Sequence, residues 1–181
     1  SFTKNKFHIG VNGVHYQFKY LINKSANAYH KYALNGNTWG NYSIDYSYTF
    51  KNLHFFGEAA TTEKLDKAFV NGLLISTDRC QSGSEFLYRK ISRGYQSLYT
   101  NAFTESTFPT NENGFYAGIS INPTDVWRID AYADLYNFPW LKYRVDAPSA
   151  GNDYLLQITY KPKKEIEIYS RYRSERKAIN Y

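Results

Sequence analysis

The chain has 181 residues, which fits one domain, with a net charge of +6 and a mean hydropathy of −0.60. No stretch approaches the ~20 consecutive apolar residues of a membrane helix, which excludes a helical span, and the single cysteine, Cys80, excludes an internal disulfide framework. Yet 19% of the residues are aromatic, which is unusual for a soluble globule of this polarity and suits a barrel with an apolar outside, a polar inside and aromatic rims.

The periodicity predicts about ten strands. The first runs from Lys4 to Val11, and Asn12-Gly13 gives a tight hairpin signal. The second, Val14 to Ile22, puts Val14, Tyr16 and Phe18 on one face and His15, Gln17 and Lys19 on the other. A polar loop from Asn23 to Gly40 leads to the third, Tyr42 to Phe50, where Tyr and Ile alternate cleanly with Ser, Asp and Thr. Lys51-Asn52 turns the chain into the fourth, Leu53 to Ala60. A short connection at Thr62 to Leu65 precedes the fifth, Asp66 to Thr77. A turn over Asp78 to Gly83, containing Cys80, leads into the sixth, Ser84 to Ser92. After a long loop, Arg93 to Gly114, the seventh covers Phe115 to Ile121 and turns at Asn122 to Asp125. The eighth runs from Trp127 to Tyr136, followed by a long loop from Asn137 to Asn152. The ninth is Tyr154 to Tyr160, the turn Lys161 to Lys164, and the tenth Glu165 to about Ser174.

Short and long connections alternate, as in outer-membrane barrels with short periplasmic turns and longer outer loops. The expected fold is therefore all-β, an antiparallel transmembrane β-barrel in the bacterial outer membrane, in contact with its lipid. With this sidedness the first strand begins and the tenth ends on the outer side, whereas complete bacterial barrels ordinarily keep both ends in the periplasm. The expectation is at least one further strand at each end, in a chain that is a piece of a larger barrel. No charged-then-apolar leader precedes the first strand, so export implies a mature chain or a fragment.

Strand parity places Lys19, Asp45, Glu58, Arg128, Asp130, Asp134, Glu165, Glu167, Arg171 and Arg173 on the lumen side. Opposite charges paired across strands would fill a narrow barrel. The same residues could line a selectivity filter, and Asp130 with Asp134 could form an acid–base pair. The histidines His8, His15, His30 and His54 lack metal-site spacing, and no phosphate loop or nucleophile elbow is present, so no metal or cofactor is expected. Seven of the 22 basic residues fall between Lys161 and Lys177, read as a solvated turn plus lumen face rather than a nucleic-acid patch. The two aromatic loops offer Tyr95, Tyr99, Phe103, Trp140, Tyr143 and Arg144 for stacking or docking, or for folding back into the lumen.

Several stretches carry a resemblance. Tyr88-Arg89, Tyr95 to Tyr99 with Asn101-Ala102-Phe103, Asn52 to Ala59, and Phe138 to Leu141 with Val145 to Pro148 resemble an outer-membrane barrel family of Bacteroidota. In that family the barrel accompanies periplasmic helix-hairpin-helix segments of the DNA-uptake kind. Those segments are absent here, so the resemblance assigns nucleic acid to no residue of this chain. The expected function is a non-enzymatic scaffold or channel subunit of a larger envelope assembly, with other envelope proteins as partners. The alternatives are a transport pore, a barrel enzyme using the Asp130 and Asp134 carboxylates, and a soluble tyrosine-rich binding protein.

Overall fold

The computed structural model describes residues 1–24, 27–77, 82–99 and 102–178, and Cys80 lies outside them. Within them the chain forms ten antiparallel strands in sequence order in one sheet. They are β1 (Phe2–Lys4), β2 (Phe7–Ile22), β3 (Gly36–Phe50), β4 (Leu53–Thr62), β5 (Lys67–Thr77), β6 (Ser82–Ile91), β7 (Glu112–Thr124), β8 (Trp127–Phe138), β9 (Ser149–Lys163) and β10 (Ile166–Arg176). A single 3₁₀ turn, Ala28–His30, interrupts the connection from β2 to β3. The outer edges of β2 and β10 are not paired with one another, so the sheet is open.

The predicted hairpin at Asn12-Gly13 is overturned. β2 passes straight through it, with Asn12 opposite Ser43 and Gly13 opposite Tyr42. The Asn12 amide donates across the sheet to Asp45 Oδ2 at 2.8 Å, so it serves the inner face instead of a turn. The chain reverses earlier, at Asn5-Lys6, where Asn5 takes the left-handed conformation that asparagine tolerates (φ 53°). Because β2 is continuous, His15 and Gln17 keep the parity of Phe7, Ile9 and Val11, off the inner face; the register with β3 then shifts between Gln17 and Ile22, so parity does not place Lys19 in an inner-face row as expected. Glu165 sits in the turn before β10 and not on a strand. Strands β3, β7 and β9 start earlier than the apolar alternation does, because polar residues continue the ladder beyond the apolar rows.

The register sorts the side chains into two unlike faces. One lateral row runs Val11, Ile44, Ala59, Phe69, and the next toward the short turns runs Ile9, Tyr46, Gly57, Asn71, Tyr88. On β8 and β9 the same face carries Trp127 against Tyr160, Ile129 against Ile158 and Ala131 against Leu156. Ile44, Phe55, Phe69, Phe115, Leu135, Leu156 and Ile168 on this face are all exposed. Toward the long loops each apolar row ends in a polar residue: Thr61, Lys67, Lys90, Asn113, Asn137, Asn152 and Arg176. The opposite, inner face mixes apolar residues such as Phe56, Val70 and Leu87 with charged ones, and the long loops cover its loop end.

The sheet curls toward that inner face. The β2–β3 and β8–β9 hairpins are six strand spacings apart, which a flat sheet would hold ~29 Å apart. Instead Trp140 of the latter loop donates its indole N–H to the Ala28 carbonyl of the former at 3.3 Å.

Candidate functional site on the inner face

Strand parity brings a chain of charges to the loop end of the inner face. Arg89 on β6 is fully buried, as is Glu112, and Asp134 is nearly so. The guanidinium donates to Glu112 Oε1 at 2.6 Å and to both Asp134 oxygens at 2.9 and 3.0 Å. To reach β8 it must cross β7, and it does so over Gly114, where an added Cβ would sit 2.3 Å from Arg89 Cζ. A glycine is required there by this close approach. Asp134 lies directly opposite Asp153 on β9. The two carboxylates stand side by side because each has its own donors. Asp153 accepts from Arg173 at 3.0 and 2.7 Å and from the Tyr132 hydroxyl at 2.9 Å.

The series continues through the loop of residues 92–111. Lys177 bridges Glu175 and Glu105, the latter at 2.9 Å. The Glu105 and Ser106 backbone N–H groups donate back to the Glu112 carboxylate at 3.1 and 3.2 Å. The loop is thus anchored at both ends of one electrostatic circuit. Its carboxylate partners hold the Lys177 ammonium above its ordinary range, with Glu175 the first of them.

Three long loops interlock over this floor. The Gln96 carbonyl accepts from Trp39 Nε1 and Asn41 Nδ2, both at 2.9 Å. Asn111 clamps Trp140 at two points, donating to its carbonyl and accepting from its N–H, each at 2.8 Å. Arg93 lies over the rings of Tyr32 and Trp140. Phe103 covers Arg89 and meets Tyr116 edge-on. Tyr95 is buried, and that burial pushes its phenol up. Lys142 sits 3.7 Å over the Phe138 ring, and burial, aided by Lys177, lowers its ammonium. Of the predicted docking residues, Tyr95, Phe103 and Trp140 therefore serve internal packing. Tyr99, Tyr143 and Arg144 remain exposed on the loop surface.

The predicted lumen residues divide by height. Toward the short turns, Arg128 pairs with Asp130 two residues along the same strand at 2.9 Å, rather than across strands. Asp130 and Asp134 are not brought together, since Tyr132 intervenes and each is held by a different arginine. A recess of about 540 Å³, lined by His54, Glu85, Tyr116, Arg128, Asp130 and Tyr132, opens at this end. Asp45 accepts from Asn12 and lies 3.0 Å from His8 Nε2, while Glu58 lines a recess with Tyr95 and Tyr99. Glu167 pairs with Lys161 at 3.3 Å, and Arg171 donates to Gln157 at 2.7 Å.

Sequence reasoning passed over Arg89, Glu112 and Asp153. Arg89 has the inward parity of β6 and could have been found that way. Glu112 was hidden inside the predicted loop from Arg93 to Gly114, and Asp153 fell between the loop ending at Asn152 and the strand beginning at Tyr154. Among the described residues no group of three or more His, Cys, Asp or Glu is placed to hold a metal ion. In comparisons with protein-family models, curated proteins and solved structures, none matches this chain.

Proposed function

We propose that this chain is part of an outer-membrane β-barrel that serves as a non-enzymatic scaffold or closed channel subunit of an envelope assembly. The observation that carries the reading is the outward apolar belt. Tyr42 to Phe50 spans about nine residues, and membrane strands tilted in a barrel need ~9–11. Water would penalise so many exposed large apolar side chains in contiguous rows, whereas lipid stabilises them. Aromatic pairs such as Phe69 with Tyr88 and Trp127 with Tyr160 fit the two interfacial girdles. Polar residues within the belt are few, among them Ser84, Ser170 and Asn71, and the Asn71 side-chain oxygen accepts from the Tyr46 hydroxyl, which reaches it across Gly57.

The open edges of β2 and β10 need partners in a bilayer, where no unpaired strand edge survives. Further strands of a larger barrel supply them in this reading. The interlocked loops and the neutralised inner charges support a sealed end over an open pore. Nucleic-acid transport rests on the family resemblance alone. Fractionation tests the reading: the chain should sediment with membranes, require detergent for extraction and show a heat-dependent shift in electrophoresis. Recovery as a folded protein in buffer without detergent would overturn it. In planar bilayers the intact assembly should show no steady conductance, and a steady current would favour the pore.

A further inference from the structure

The belt contains a groove that is not needed for spanning the bilayer. On the outward face of β4 the small residue Ala59 lies between Ile44 on β3 and Phe69 on β5 in one lateral row. The result is a trough of about 480 Å³ with an apolar floor and walls. In the next row toward the short turns, the Tyr46 ring lies beside Gly57, opposite it on the neighbouring strand. The trough opens at the polar margin, where Lys67 lines the mouth. Lys90 stands directly opposite Phe69, which makes it the diagonal neighbour of Lys67, with Cβ atoms ~7–8 Å apart. Both side chains are exposed, and among the described residues neither ammonium forms an ion pair. Like charges so placed repel unless an anion lies between them.

We infer that this groove binds one anionic phospholipid, of net negative headgroup charge, from the leaflet on the long-loop side. An acyl chain lies on Ala59 between Ile44 and Phe69, and the phosphate is bridged by Lys67 and Lys90. The charge complementarity names the occupant. An apolar trough takes a hydrocarbon chain, and two lysines at the depth where the belt ends take an anionic headgroup. The inference rests on the membrane reading above.

The test uses the chain in the membrane assembly in which it folds, purified in mild detergent. Native mass spectrometry follows addition of phosphatidylglycerol or phosphatidylcholine with identical acyl chains. The wild type should retain phosphatidylglycerol with roughly tenfold or greater preference, the scale of two lysines at an anionic lipid surface. K67Q combined with K90Q should lose the preference. Ala59→Phe, which fills the trough and leaves both lysines, should lose retention of either lipid, and Ala59→Leu should do so in part if the larger side chain prevents insertion. Equal retention by wild type and by the lysine pair variant overturns the inference, as does a lipid-free dimer that covers the groove. A chain that never partitions into membranes overturns the membrane reading instead, so the two failures are distinct.

Discussion

Arg89→Met removes the one cation shared by Glu112 and Asp134 and tests whether the charged floor holds the loop end together. Methionine keeps much of the stem volume, so packing loss is small. Glu112 retains the backbone donors of Glu105 and Ser106, but Asp134 loses both of its guanidinium bonds. Stranding a buried ion-pair partner costs ~3–5 kcal/mol, and this variant should fall in that range. Arg128→Met is the control. Its side chain is 60% exposed and pairs on its own strand, so ~0–1 kcal/mol is expected. Gly114→Ala should approach the Arg89→Met effect without removing any charge, because the new Cβ occupies the guanidinium's crossing. Adding Glu112→Gln and Asp134→Asn to Arg89→Met should recover most of the loss, since neutral amides are far cheaper to bury. Urea unfolding in lipid vesicles, followed by tryptophan fluorescence, measures each difference. If Arg89→Met and Arg128→Met unfold together, the circuit is not a structural keystone and the reasoning fails.

Asn111→Ala should cost ~1–3 kcal/mol by removing both clamps on Trp140, and protease cleavage within residues 92–111 should accelerate before global unfolding does. Tyr46→Phe should destabilise by ~1–2 kcal/mol by leaving the Asn71 side-chain oxygen unpartnered on the outward face. The same change in an Asn71→Leu background should be near neutral, and a double-mutant cycle with no coupling would refute that pairing. Amine acylation should reach half-maximal rate at a lower pH for Lys142 than for Lys177. Burial favours the neutral amine of the first, while carboxylates favour the charged form of the second. Residue-resolved mass spectrometry over a pH series reads the order, and the reverse order would contradict the burial of Lys142.

Strand identity was legible because period-two alternation is a direct consequence of the pleat, and over Tyr42 to Phe50 of β3 and Trp127 to Leu135 of β8 one face is wholly apolar or aromatic. The main misreading of the fold came where local chemistry competed with pairing. Asn12-Gly13 has turn residues, but Asn12 is held in the strand by Asp45 and Gly13 by its ladder pairing with Tyr42. Lys19 lies where the β2–β3 register shifts, which strand periodicity does not foretell. Parity correctly grouped Asp134 with Arg173, yet it cannot reveal that Arg89 spans two strands. That depends on Gly114, whose meaning emerges only when its neighbours are known. Loop contacts such as Asn111 with Trp140 join residues far apart in sequence and leave no periodic trace.

The charges divide according to the depth at which solvent is lost. At the short-turn end the inner residues pair locally, Arg128 with Asp130 and Lys161 with Glu167, in contacts that exposed water screens. At the long-loop end Glu112, Arg89, Asp134, Asp153, Arg173, Glu175, Lys177 and Glu105 form one continuous series, and its deepest members are sealed by the loop that the series itself anchors. Each part requires the other. Without the loop the carboxylates of β7, β8 and β9 would stand beside one another in water with weak partners. Without the carboxylates, the loop's backbone donors at Glu105 and Ser106 would be buried unmet. A loop needed only as a mobile docking arm would not require so many desolvated contacts, whereas a permanent closure does. This mutual dependence keeps the loop end of the inner face covered, which is what the proposed closed barrel requires, and leaves the recess around Arg128 as the part of the inner face that opens at the other end.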